Sequence, residues 1–164
     1  YSRVVMRAGP DGRREAVQPA AREDRTEMGW ECYPAGLQES LLRVHRDYAP
    51  RTIYVTENGA AYADAADPHG RIVDAQRIAY LRGHLRAAHE ALAQGAPLAG
   101  YFLWSLLDNF EWAHGYAKRF GLFAVDSATR RRLPKASASW YHGVVAANAV
   151  PDDNAPISQG DSGA

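Results

Sequence analysis

The chain has 164 residues, 46% hydrophobic and 23% charged, with 19 basic side chains against 19 acidic ones. That length holds one ordinary domain, and the charge balance removes any general electrostatic case for nucleic acid or an anionic membrane. No run reaches the 18 or so apolar residues of a membrane span, and Cys32, the only cysteine, excludes an intrachain disulfide or a thiolate zinc cluster, so a cytoplasmic protein with a neutral small-molecule partner is expected.

In chain order, Tyr1 opens without a cap, turn or lead-in, as if mid-structure. Residues 9–29 carry many charges and turn-formers and read as a long surface loop. Tyr33-Pro34-Ala35-Gly36 leads into a helix with Leu37, Leu41, Val44 and Tyr48 at helical spacing, ended by Pro50. Residues 51–56 are short and β-rich, bounded by Pro50 and Asn58-Gly59, which predicts a buried parallel strand followed by a loop over 60–71. Asp74 is placed to cap the next helix, where Ile78, Leu81, Leu85, Ala88 and Leu92 repeat at steps of three and four until Gly95 and Pro97. Residues 98–107 form a near-continuous apolar and aromatic run, as expected of a strand covered on both faces. A last helix starts near Pro134 with Trp140, Val144 and Ala147 on one face, and the polar stretch from Val150 predicts a disordered tail.

Strands alternating with helices argue for right-handed parallel βαβ construction. Two or three parallel strands alone leave unpaired edges, so further strands are expected upstream.

Cleavage of a glycosidic bond needs two carboxyl groups, one donating a proton and one attacking or activating water. Glu57 sits where a strand meets a forced turn, the position from which a barrel projects its catalytic groups, and its role there is nucleophile or base. Position alone favours an ordinary solvated carboxylate. Trp104, Asn109, Glu111 and Trp112 then gather flat aromatic faces with charged and amide groups, the mixture that sugar rings and hydroxyls require. Core aromatics beside exposed acids are the alternative there.

Thr56-Glu57-Asn58-Gly59 resembles the nucleophile motif on strand 7 of the family-1 glycoside hydrolases, the retaining β-glucosidase family. Trp104-Ser105-Leu106-Leu107-Asp108-Asn109-Phe110-Glu111-Trp112, with Lys118-Arg119-Phe120-Gly121-Leu122, resembles the family's strand-8 sugar-binding segment. Pro134-Lys135, Ser139 and Trp140-Tyr141 resemble its closing helix, Tyr1-Ser2 the end of its strand-6 motif, and residues 28–34 the approach to helix 6. The resemblance implies that residues 1–149 are the C-terminal part of a (β/α)8 TIM barrel, incomplete as given, followed by a tail over 150–164.

It further implies Glu57 as nucleophile, Tyr1 as hydrogen-bond donor to it, Trp104 as the platform under the sugar, and Glu111 and Trp112 as holders of its hydroxyls. Phe120 would help line that subsite and Trp30 the aglycone side. No metal or organic cofactor is implied. Double displacement with retention follows, on terminal β-D-glucosyl units or a close epimer. A carboxylate at Glu111 would repel a phosphorylated sugar, so phospho-sugars are disfavoured.

The family's acid/base motif, Asn-Glu-Pro, occurs nowhere in the 164 residues. The isolated chain is therefore expected to be inactive without a missing N-terminal barrel segment, the rival being a non-catalytic carbohydrate-binding remnant. Ala35 stands where relatives commonly carry glutamate. His84 and His89 read as solvated helix histidines rather than metal ligands, and Arg130-Arg131-Arg132 as a solvated turn.

Overall fold

The computed structural model describes residues 4–17 and 25–151; Tyr1 and the tail from residue 152 lie outside them. At its centre helix α1 (Pro34–Tyr48) leads into a βαβ unit of strand β3 (Ile53–Asn58), helix α2 (Ala75–Ala93) and strand β4 (Leu98–Leu103), with β3 and β4 parallel neighbours. Leu37 and Leu41 of α1 meet Val55 of β3 and Ala88 and Ala91 of α2 in one apolar cluster. The other end of α2 packs Ile78 and Leu81 on Leu122 and on Trp140 and Val144 of helix α3 (Ala136–Ala147). No helix among the described residues is long and apolar enough to cross a membrane.

The helices cover one side of the strand pair only. Phe102, expected to be covered, is 57% exposed on β4, and Tyr54 of β3 is bare as well. Both lie on one open face, because a Cβ placed on Gly100 would meet the rings of Tyr54 and Phe102. Val44, Tyr48, Leu92 and Ala147, at the distal ends of their helical stripes, are likewise exposed.

Several local expectations change. Residues 9–29 are not all loop: strands β1 (Val5–Ala8) and β2 (Arg14–Val17) form an antiparallel hairpin across Gly9-Pro10-Asp11-Gly12. Gly12 takes φ 76°, its N–H donates to Gly9 O at 3.0 Å, and Asp11 Oδ1 accepts from Arg13 N at 3.0 Å. This is turn chemistry that a Pro-Asp-Gly sequence encodes. Pro134 belongs to a second hairpin, β5 (Phe123–Val125) with β6 (Arg132–Pro134), and α3 starts two residues later. His84 is buried, not solvated, because it shares the stripe of Leu81 and Ala88. Its ring stacks on Tyr80 at 3.9 Å, and desolvation lowers its pKa to about 4.

Candidate active site

Three stretches of chain converge at the C-terminal ends of β3 and β4. On β3, Val55 pairs with Tyr101 while Asn58 pairs with Leu103, so three steps along one strand match two along the other. The extra residue is a bulge at Thr56-Glu57, a device that re-aims side chains next to active sites. Simple alternation would place Val55 and Asn58 on opposite faces. Instead Val55 packs in the helix-side cluster and Asn58 Oδ1 accepts from the hydroxyl of Tyr101, at 2.6 Å, a residue packed against that same cluster. Glu57, within the bulge and next to Asn58, is exposed.

Gly59 lets the chain leave β3 directly against Trp104. A Cβ there would sit 1.6 Å from the Trp104 carbonyl oxygen, which no side chain can tolerate, and Trp104 N donates to Asn58 O at 3.0 Å. The strand end bearing Glu57 is thus pinned to the backbone of Trp104, whose ring is partly exposed. The Trp104–Ser105 peptide is cis.

Residues 105–123 run out and back as a closed loop. Ser105 N donates to Phe120 O at 3.3 Å, Leu122 N to Ser105 O at 3.0 Å, and Asp108 N to Phe123 O at 2.9 Å. At the tip, a 3-10 turn over Trp112–His114 begins just after Glu111, and Glu111 N donates to Gly115 O at 2.6 Å. Trp112, in the left-handed region at φ 39°, is 83% exposed, whereas Glu111 is half-buried. Phe110 and Tyr116 brace the two limbs edge-to-face, with ring centroids 5.6 Å apart.

Phe120 is only 3% exposed and lies beneath Trp30, centroid to centroid 6.0 Å, so it offers Trp30 a support more than it offers a ligand a surface. The segment bearing Trp30 is tied to both strand exits. Glu27 N donates to Ala61 O at 2.9 Å, and Lys118 Nζ donates to Glu27 O at 3.0 Å. The fold brings together the stems that carry Glu57, Trp104, Glu111, Trp112 and Trp30. Tyr1 lies outside the described residues.

Sequence reading missed the charged cluster beneath these stems. Lys135 Nζ, fully buried, bridges Asp64 Oδ2 at 2.7 Å and Asp108 Oδ1 at 2.8 Å. Arg77, also buried, pairs with Asp64 at 2.7 Å and Asp74 at 2.5 Å, and its Nη2 donates to Arg119 O at 2.6 Å. Asp74 does not cap its own helix with its side chain. Its carboxylate accepts instead from Ser137 N at 2.8 Å and Ser137 Oγ at 2.5 Å. The available signal was Arg77 itself, in register with Leu81, His84, Ala88 and Ala91, a charge on an apolar stripe.

Residues 6–150 match the profile of Glycosyl hydrolase family 1. Beta-glucosidase A of Thermotoga maritima is 44% identical over 152 residues, covering 93% of this chain and 34% of the relative. A 6-phospho-beta-galactosidase of Staphylococcus epidermidis is 49% identical over 119 residues, 71% of this chain and 25% of that protein. Among solved structures, the beta-glucosidase from Thermotoga maritima in complex with castanospermine superposes with a TM-score of 0.82 at 45% identity, over 93% of this chain and 34% of that one. The chain thus spans about a quarter to a third of the length of these relatives.

Proposed function

The chain belongs to glycosyl hydrolase family 1, and on that footing we propose that it is the C-terminal, strand-7 and strand-8 portion of a retaining β-glucosidase barrel. The observation that carries this is Glu57, exposed at the bulged end of β3 and held by backbone beside Trp104.

In the complete barrel Glu57 attacks the anomeric carbon while an acid supplied from outside these residues protonates the leaving oxygen. Water then resolves the glycosyl-enzyme with retention. Tyr1 donates a hydrogen bond to the nucleophile. Trp104 stacks under the sugar, Glu111 and Trp112 hold its outer hydroxyls, and Trp30, supported from below by Phe120, flanks the aglycone. No metal or cofactor enters the reaction. The substrate class is a terminal, non-reducing β-D-glucoside or close epimer. Relatives include 6-phospho-β-galactosidases of comparable identity, so the choice against phosphate rests on Glu111, whose charge opposes a phosphoryl group at those hydroxyls.

Grafting residues 6–150 in place of the matching third of the Thermotoga maritima enzyme tests this. The chimera is expected to hydrolyse an aryl β-glucoside with retention, to prefer it over its 6-phosphate, and to lose activity on the order of 10^4-fold on Glu57→Ala. Undiminished turnover by the Glu57→Ala chimera would sink the assignment. The exposed Trp104 and Trp112 beside Glu111 favour one second reading, a non-catalytic sugar-binding remnant. That reading predicts that glucose raises the melting temperature of the chain without any turnover.

A further inference from the structure

We propose that Asp108, held by Lys135, is a positioning residue that sets the sugar-contact loop against the strand bearing Glu57. This deepens the reading above and rests on it. Asp108 Oδ1 accepts two hydrogen bonds: from Lys135 Nζ at 2.8 Å and from Gly121 N at 2.8 Å. The second bond closes the neck of the loop, joining its outgoing limb at 108 to its returning limb at 121. The fit there is tight, since a Cβ on Gly121 would lie 2.2 Å from Asp108 N.

The first bond fixes where that neck sits. Lys135 Nζ also holds Asp64 Oδ2 at 2.7 Å, and Asp64 lies on the chain leaving β3, shortly after Glu57 and Gly59. A single ammonium group therefore ties the exits of both strands. The backbone oxygen of Asp64 accepts from the Arg119 guanidinium on the returning limb, adding a second tie in the same direction.

Buried ion pairs contribute little net stability compared with apolar residues of the same volume, because desolvation offsets their attraction. Their directional bonds do fix geometry, and Glu111 and Trp112 ride on the far end of the loop whose neck they hold. A small rotation at the neck displaces the tip by more, and binding groups misplaced by about 1 Å lose affinity steeply.

Asp108→Asn tests this in the complete chimeric barrel, because the amide oxygen keeps the shape and the bond from Gly121 N while removing the charge that Lys135 holds. Hydrogen exchange reads the positioning without any turnover: amides of residues 109–120 are expected to lose protection by about tenfold, with those of α1 unchanged. With the aryl β-glucoside, KM is expected to rise about tenfold while kcat stays within about twofold, the pattern of lost uniform binding. Unchanged exchange in 109–120 would overturn the positioning. Faster exchange with KM unchanged would overturn its link to the sugar. A uniform loss of protection with lower kcat and unchanged KM would mark Asp108 as merely structural. Failure of the glycosidase reading shows separately, as turnover that survives Glu57→Ala.

Discussion

The two ends of the β3–β4 pair are held in opposite ways. On the helix-covered flank, Leu37, Leu41, Val55, Ala88 and Ala91 pack without a charge among them. At the strand exits, Asp64, Asp74, Arg77, Lys135 and Ser137 are buried in one hydrogen-bonded cluster. Apolar packing rewards volume and tolerates shape, whereas a buried charge tolerates the loss of no partner. The flank supplies stability and the exits supply position, which is where a site needs it.

That contrast breaks hardest at Lys135. Lys135→Met preserves length and removes the charge between Asp64 and Asp108, and it is expected to destabilise a complete barrel carrying this segment by about 3–5 kcal/mol, read as a urea-midpoint shift. A loss under about 1 kcal/mol would mean that the carboxylates find other partners and that the exits are not held as described.

His84, in α2 between the two regions, gives a pH test. Its folded pKa, about 4, lies below the unfolded 6.5 through desolvation, so the unfolded chain binds more protons between those values. Stability from this group is complete above pH 6.5 and is lost as pH falls toward 4, by on the order of 3 kcal/mol. His84→Phe keeps a ring against Tyr80 and should remove this part of the acid sensitivity. An identical decline in both proteins would place the proton uptake elsewhere.

Gly59→Ala forces the chain away from the Trp104 carbonyl and should cost about 1–3 kcal/mol together with much of the turnover. Unchanged activity would show that the juxtaposition of Glu57 and Trp104 is not needed. The smallest effect belongs to the flank: Leu41→Met, a swap of similar volume, is expected to cost less than about 1.5 kcal/mol by the same midpoint measurement.

The sequence carried the order of helices and central strands, the turn after Glu57 and the two motifs of the family, because each is written in a short window: periodicity over two or three turns, or a run of adjacent residues. It also carried more than was read from it, since Pro10-Asp11-Gly12 spelled the first hairpin and Arg77 interrupted an apolar stripe. Only the tertiary structure decided that β3 bulges at Thr56-Glu57, that Phe120 sits under Trp30, that His84 is buried, and that Lys135 reaches Asp64 across 71 positions of sequence. A charge looks the same in sequence whether it ends in water or in a cluster. Partners that neutralise it come from distant segments, and only the folded chain brings them within hydrogen-bonding distance.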